Sequence, residues 1–149
     1  MANELRRLGF TLIEVLIVAV MLAVLAAVVV PQFLNSNEDA KVTSAKFSLQ
    51  TLRSQIQLYK SEHGSWPGDD LQELLMTTSG DGTTDSSDGP LTSGPYLESI
   101  PVNPFTGSAT VVEIENDPAT AADITATDGW LYNKQVGQIW LNHADYISD

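Results

Sequence analysis

Residues 9–33 decide the fold class of this chain, and they read GFTLIEVLIVAVMLAVLAAVVVPQF. Sixteen consecutive apolar residues run from Val15 to Val30. A helix over residues 10–33 would be about 36 Å long at ~1.5 Å per residue, which is enough to cross a bilayer core of ~30 Å. Arg6 and Arg7 precede the run and predict a cytoplasmic amino terminus. We therefore expect a transmembrane helix at residues 10–33.

Glu14 is the acidic residue inside this apolar segment. A carboxylate in a membrane helix costs roughly 2.5–3.5 kcal/mol to insert, so it usually has a partner and a purpose. A cleaved secretory signal has a shorter apolar core, about 7–15 residues, without acids. A plain membrane anchor fits the length of the segment but leaves Glu14 unexplained.

Charge is strongly segregated along the 149 residues, whose net charge is −12. Residues 1–60 carry a net charge of +2, whereas residues 61–149 carry fifteen acidic residues and a single lysine. The acidic part would repel phosphate, which argues against a nucleic-acid-binding protein. The chain has no cysteine, so a small domain here needs a bound ion or assembly with neighbours as a further source of stability.

An amphipathic pattern follows the apolar segment. Residues 38–62 carry apolar side chains at alternating spacings of three and four, which predicts a helix with one buried face: Val42, Ala45, Leu49, Leu52, Ile56 and Tyr59. Pro31 predicts a kink between the two helical parts. Gly64 and Pro67 predict the end of the helix near His63, giving about fifty helical residues in total.

The remaining chain predicts a small sheet. A short helix is expected at Asp69–Met76, a loop at Thr77–Pro95, and an irregular segment at Tyr96–Gly107. Strands are expected at Thr110–Ile114, Trp130–Asn133 and Gln138–Asn142, with Lys134–Gly137 as a hairpin turn. The fold class is therefore α+β, with a small antiparallel sheet packed on the amphipathic helix.

The motif Gly9-Phe-Thr-Leu-Ile-Glu14 before a long apolar run resembles the processing site of type IV pilins and type II secretion pseudopilins. The resemblance implies cleavage between Gly9 and Phe10 by prepilin peptidase, followed by N-methylation of Phe10. It also implies that Glu14 faces the terminal amine of a neighbouring subunit in a filament. The stretch YKSEHGSWP at residues 59–67 resembles the helix end of major pseudopilins, and LESIPVNP at residues 97–104 resembles the segment that leads into their sheet.

The resemblance also implies a domain layout and a function. Residues 1–9 form a cleaved leader, 10–33 the transmembrane and filament-core helix, and 34–149 a periplasmic domain with helix 38–62, loops 63–109 and sheet 110–142. The implied function is a structural subunit of a type II secretion pseudopilus in the inner membrane. Its implied partners are other copies of itself, minor pseudopilins, prepilin peptidase, an assembly platform with its ATPase, and membrane lipid. A type IV major pilin for adhesion, motility or DNA uptake, and a secreted acidic binding module, are the alternatives.

Motifs for catalysis are absent from the sequence, which lacks G-x-S-x-G, P-loop, G-x-G-x-x-G and H-E-x-x-H patterns, so we expect no enzyme. Two groups of acidic residues do not have the spacing of an EF-hand, and a solvated acidic surface is one interpretation of them. The pseudopilin resemblance implies a calcium site in the loops around the sheet. The candidate ligands are Asp117, Asp123 and Asp128 in one group and Asp81, Asp85 and Asp88 in the other.

Overall fold

The computed structural model describes residues 9–68, 70–83 and 92–148. Its first element is helix α1, Leu12–His63, which has 52 residues and confirms the predicted single long helix. The backbone is helical through Pro31, and the kink predicted there remains a prediction. The chain divides into two compact units, Met1–Ala40 and Lys41–Asp149.

In the first unit, the helix is apolar and is not covered by the chain itself. Its segment Leu12–Val30 has a mean hydropathy of 3.1, and none of it is buried. A 19-residue segment of this kind has the length and composition of a membrane-spanning helix. The side chains of this segment therefore need lipid or other protein chains as their surroundings.

In the second unit, the predicted apolar face of α1 forms one wall of the core. Ala45, Leu52 and Ile56 are fully buried, and Leu49 and Tyr59 are only 3% exposed. The opposite wall comes from the sheet and consists of Trp130, Tyr132, Ile139 and Leu141. This packing confirms the expectation that the sheet packs on the amphipathic face of the helix.

Three short strands form the sheet: β1, Val111–Glu113; β2, Trp130–Asn133; and β3, Gln138–Leu141. Their order is β1-β2-β3, and β2 and β3 form the predicted antiparallel hairpin. However, β1 pairs with β2 in parallel, so the prediction of a purely antiparallel sheet was wrong. The reason is the connection over residues 114–129, which is long enough to return the chain to the end where β1 began.

Both faces of the sheet are covered. Leu131 and Trp140 point away from α1 and pack with Ile114 and Ala119 in a second apolar cluster. This cover explains why the residues of β2 do not alternate strictly between apolar and polar, since all four of them are buried.

The predicted helix at Asp69–Met76 is much shorter in the structure. Among the described residues 70–76, only Gln72–Leu75 is helical, as a single 3-10 turn, and it follows Leu71, which has a left-handed backbone with φ 58°. Leu71 and Leu74 are fully buried. The packing of these two side chains in the core therefore determines the conformation of the segment, and helix propensity does not. The end of α1 is as predicted, because Gly64 has φ 74° and donates its N–H to the Lys60 carbonyl at 2.9 Å.

Side-chain hydrogen bonds fasten the irregular segments to the sheet. The Trp130 indole donates to the Pro101 carbonyl at 2.8 Å, and the Tyr132 hydroxyl donates to the Pro67 carbonyl at 3.1 Å. The LESIPVNP segment and the segment after α1 are thus each held by one aromatic residue of β2.

Three buried asparagines hold the loops, and the sequence analysis missed them. Asn103 donates to the Gly129 carbonyl at 2.8 Å, and Asn133 donates to the Glu115 carbonyl at 3.0 Å. Asn142 donates to the carbonyls of Thr125, at 3.0 Å, and Asp128, and its own amide oxygen accepts from the Thr125 N–H at 3.0 Å. A buried amide that satisfies backbone groups in this way replaces regular secondary structure as a source of order.

We expect Asn142→Asp to destabilise the second unit. The change replaces an N–H donor by an acceptor in front of two carbonyls, at a position that is only 2% exposed. Leaving buried polar groups unsatisfied costs about 1–3 kcal/mol each, so the melting temperature should fall by roughly 10 °C. Asn37→Asp, the same substitution at an exposed helix position, is the matched control. Equal melting of both variants by circular dichroism would contradict the role of Asn142.

Candidate functional site

The start of α1 holds the residues of the predicted processing and assembly site. Phe10 is 83% exposed and precedes the first helical residue, Leu12, by two positions. Phe10 and Glu14 line a shallow groove of about 250 Å³ whose other lining residues are Val15 and Val18. The structure therefore places the predicted terminal residue and the predicted assembly carboxylate side by side on one surface.

Glu14 also has a local partner that the sequence analysis missed. Its Oε2 accepts the N–H of Thr11 at 3.4 Å, while the Thr11 Oγ1 accepts the N–H of Glu14 at 3.3 Å. This reciprocal pair is a capping box, which was visible in the sequence as Thr11-Leu-Ile-Glu14. The negative charge also lies in the first turn, where it complements the helix dipole.

The helix cap uses only part of the hydrogen-bond acceptor capacity of the Glu14 carboxylate. A carboxylate has two oxygens and about four lone-pair sites, so it can accept a further donor while it caps the helix. Cleavage between Gly9 and Phe10 would turn the amide of Phe10 into a cationic amine four residues before Glu14. An ammonium is the kind of donor that a carboxylate in apolar surroundings binds most strongly.

The described fold does not require glycine at position 9. A Cβ atom built there would meet no atom within 4 Å, and the residue does not have the positive φ that favours glycine. A requirement for glycine at this position must therefore come from outside the folded chain, which is what a protease recognition site supplies.

A polar cluster closes the other end of α1. The Nε2 atom of His63 lies 2.9 Å from both the Tyr96 hydroxyl and the Thr78 hydroxyl. The Tyr96 hydroxyl in turn donates to Glu62 at 2.6 Å. Burial, together with the charge of nearby Glu73, raises the pKa of Tyr59 to about 12, so this tyrosine stays neutral at physiological pH. The cluster ties the helix end to two loops, and His63 is thus a structural link as well as a helix-end side chain.

Three of the four candidate calcium ligands that the structure describes, Asp81, Asp123 and Asp128, accept local hydrogen bonds. Asp123 accepts from the Thr120 hydroxyl at 2.7 Å, from the Thr120 N–H at 2.8 Å and from Asn116 at 2.8 Å, and these bonds lower its pKa. Asp128 accepts from the Thr125 hydroxyl at 2.7 Å, whereas Asp117 is exposed. Bonds from Ser79 and Thr83 lower the pKa of Asp81, and the other two candidates, Asp85 and Asp88, lie outside the described residues.

These carboxylates do not form a ready metal centre. Over residues 9–68, 70–83 and 92–148, no three Asp, Glu or His side chains lie close enough together to hold an ion. Calcium takes six to eight oxygen ligands, and backbone and Asn carbonyls can provide some of them. Of the described candidates, Asp123 and Asp81 each have two oxygen-bearing residues hydrogen-bonded to them, Asn116 and Thr120 in the first case and Ser79 and Thr83 in the second.

Comparison with protein families gives two matches. The family described as type II secretion system protein G matches residues 32–126. The prokaryotic N-terminal methylation motif matches residues 5–30, which include the predicted cleavage site and most of the apolar segment. A comparison of the fold with solved structures finds no significant match.

Individual relatives agree with the family matches. The type II secretion system core protein G of Pseudomonas aeruginosa is 35% identical over 101 residues, which are 65% of this chain and 67% of that protein. The core protein G of Vibrio cholerae is 31% identical over 101 residues, covering 67% of this chain and 66% of that protein. A fimbrial protein of Neisseria meningitidis is 35% identical over 77 residues, or 52% and 45% of the two chains.

The matched segments thus span between just under half and two thirds of the lengths of these three relatives. The protein G match extends well beyond the amino-terminal helix, through the 3-10 turn and β1. Its residues make up more than half of the chain. Together with the methylation motif around Gly9 and Phe10, this match shows that the chain belongs to the type II secretion system protein G family.

Proposed function

We propose that this chain is the repeating structural subunit of a type II secretion pseudopilus. Prepilin peptidase cuts between Gly9 and Phe10, Phe10 is N-methylated, and the apolar helix passes from the membrane into a filament that drives protein export. The observation that carries this proposal is the protein G match over residues 32–126, because it covers folded parts of the second unit that a shared membrane helix does not explain.

The uncovered apolar helix supports polymerisation. No residue of segment Leu12–Val30 is buried by the described part of the chain. Lipid satisfies it before assembly, and the same segments of neighbouring copies can satisfy it afterwards. Pairing of the Glu14 carboxylate with the Phe10 amine of a neighbour would select one axial alignment of those helices. Any other alignment would leave a buried charge without a partner, which is energetically costly.

The location and the partners follow from the same chemistry. Arg6 and Arg7 favour a cytoplasmic amino terminus, so the second unit would lie in the periplasm of a single-pass inner-membrane protein. The sequence has no P-loop, so the energy that moves the helix out of the bilayer would come from an assembly ATPase acting through a membrane platform. Minor pseudopilins are further partners, because the filament needs a first subunit. A structural role of this kind requires no catalysis.

A type IV pilin is the second candidate, and the match to the Neisseria meningitidis fimbrial protein favours it. That match covers 52% of the chain, compared with 65% and 67% for the core G proteins of Pseudomonas aeruginosa and Vibrio cholerae. A secreted acidic binding module would have to lose the apolar helix, and the methylation motif over residues 5–30 argues against that loss.

We expect Gly9→Ala to retain part of the processing and Gly9→Leu to abolish it. Nothing in the folded chain opposes a side chain at this position, so a loss of cleavage would report the close approach of the peptidase to the backbone. Immunoblots of membrane fractions separate precursor from mature chain by mobility. Complete maturation of Gly9→Leu would show that the cleavage site is elsewhere.

We expect Glu14→Ala, Glu14→Gln and Glu14→Lys to enter the membrane but to polymerise poorly. Insertion should not suffer, because Ala and Gln remove a charge from the apolar segment and Lys replaces one charge by another of similar insertion cost. Assembly should suffer, because truncating one partner of a buried ion pair costs about 3–5 kcal/mol. Lys should be the most severe, since it adds a second cation beside the Phe10 amine, and Glu14→Asp should be partly tolerated. Sheared filaments quantified by immunoblot give the yield.

Two variants separate the charge from the helix cap. Glutamine can replace glutamate in a capping box, so Glu14→Gln keeps the cap and removes only the charge. Thr11→Val removes the cap and keeps the charge. The ion-pair proposal expects filaments from Thr11→Val and few from Glu14→Gln. The reverse result would assign the role of Glu14 to helix capping and would overturn the pairing with Phe10.

Calcium binding in the loops around the sheet is a further part of the proposal. Asp123, to which Asn116 and Thr120 are hydrogen-bonded, is one described candidate with several oxygen atoms around it. Calcium at 100 times its Kd would stabilise the domain by about 2.7 kcal/mol, so we expect it to raise the melting temperature of the full chain in detergent. Magnesium at equal concentration and a chelator are the controls. Identical melting in calcium and in chelator would remove the ion from the proposal.

A further inference from the structure

One flank of α1 carries a basic surface. Between Lys41 and Lys60 the helix contains four basic residues and no acidic residue. From residue 61 onward the only basic residue is Lys134, and its Nζ lies 2.9 Å from Glu113 Oε1. The second unit therefore presents a basic helix segment next to a strongly acidic remainder.

Part of this flank is concave. A groove of about 540 Å³ is lined by Lys46, Leu49, Gln50, Arg53, Ser54 and Gln57. Arg53 is held in place there, because its Nη2 and Nε atoms donate to the Ile139 carbonyl at 3.0 and 3.3 Å. Strand β3 lies at one edge of the sheet. The guanidinium of Arg53 is therefore at this edge, hydrogen-bonded to one backbone carbonyl of β3. The groove therefore presents a positive charge in a fixed position. The Ile139 carbonyl at the β3 edge already accepts hydrogen bonds from Arg53, so it is not available for pairing with another strand.

The opposite edge of the sheet is acidic. The order β1-β2-β3 places β1 at the other edge. Strand β1 ends at Glu113, and the chain continues through Glu115 and Asp117, all three of which are exposed. Complementary charges thus occupy the two opposite edges of one small sheet.

We propose that the groove around Lys46 and Arg53 binds the acidic segment Glu115–Asp117 of a second copy of this chain. The two surfaces differ and lie on opposite edges, so the contact is heterologous: the copy that contributes its groove still presents its acidic segment, and the copy that contributes its acidic segment still presents its groove. Such contacts repeat without closing, as a filament requires. The inference rests on the proposed function, and it adds a polar contact between folded domains to the pairing at Glu14.

The fixed position of the Arg53 side chain favours a specific contact with a carboxylate over a non-specific attraction between oppositely charged surfaces. Arg53 is already ordered by Ile139, so less side-chain freedom is lost when a carboxylate binds it. The amides of Gln50 and Gln57 can donate to the same carboxylates. Because both surfaces are open to solvent, salt should weaken the contact.

Cross-linking of the full chain in cells tests the proposal. The chain has no cysteine, so the pair Gln57→Cys and Asn116→Cys introduces the only two thiols. We expect a bis-maleimide to produce a ladder of multimers from assembled filaments. Gln55→Cys with Asn116→Cys is the matched control, since residue 55 lies on the other flank of the helix, and it should give no ladder.

Charge reversal in the cross-linking background tests the chemistry. Lys46→Glu and Asp117→Lys should each reduce the ladder roughly fivefold, and both changes in one chain should restore it. Lys41→Glu makes the same charge change outside the groove and should leave the ladder intact.

The outcomes distinguish this contact from the proposed function. A normal filament yield without a cross-linked ladder would overturn the proposed contact and leave the pseudopilus proposal standing. A ladder of unchanged intensity in Lys46→Glu and Asp117→Lys would have the same consequence. If the thiol of the Gln57→Cys variant is cross-linked to a different protein instead of a second copy, the assignment of the occupant is overturned. Absence of filaments from the unaltered chain would overturn both proposals.

Discussion

The central constraint on this protein is an apolar helix that its own chain does not cover. Segment Leu12–Val30 has a mean hydropathy of 3.1 and none of its residues is buried by the described chain, although burying each large apolar side chain is worth about 1.5–3 kcal/mol. Lipid or other copies must therefore supply its surroundings. This need separates the chain into two units, because the same helix has to be uniformly apolar where it meets its environment and one-sided where it meets the sheet.

Each end of the long helix combines a local and a wider role. At the start, Glu14 completes a cap with Thr11 and also has the capacity to accept a cationic amine. At the end, His63 joins two loops through Thr78 and Tyr96. Between them, Arg53 donates to the Ile139 carbonyl at the β3 edge. All three residues thus stabilise a single copy, and two of them, Glu14 and Arg53, are the residues through which we propose that neighbouring copies pair.

Local patterns predicted much of this fold, and non-local geometry accounts for most of the rest. The core face from Ala45 to Tyr59 was readable because a one-sided helix repeats its apolar residues, and the β2–β3 hairpin because its turn lies between two strands. The parallel direction of β1 depends on where residues 114–129 lead, which no local signal reports. Buried Asn142 resembles a surface residue in sequence, since only the fold reveals the backbone groups that it satisfies.

The candidate site was predictable to a similar extent. The Thr11–Glu14 cap was readable from the spacing of the two residues but was overlooked beside the charge of Glu14. In the sequence, the acidic residues of the loops were recognised as charges and as candidate calcium ligands, without their hydrogen-bond partners. That Asp123 and Asp128 accept hydrogen bonds from nearby threonines depends on how the loop folds, and spacing alone does not report it.

The fate of the apolar helix is the most direct test of this account. Mass spectrometry of the amino-terminal peptide of the mature chain, purified from membranes, determines whether the segment is retained and how it is modified. The account predicts a chain that begins at Phe10, is heavier by one methyl group on its amine, and still contains Leu12–Val30. A mature chain that begins near Ala26, with the apolar segment removed, would contradict it.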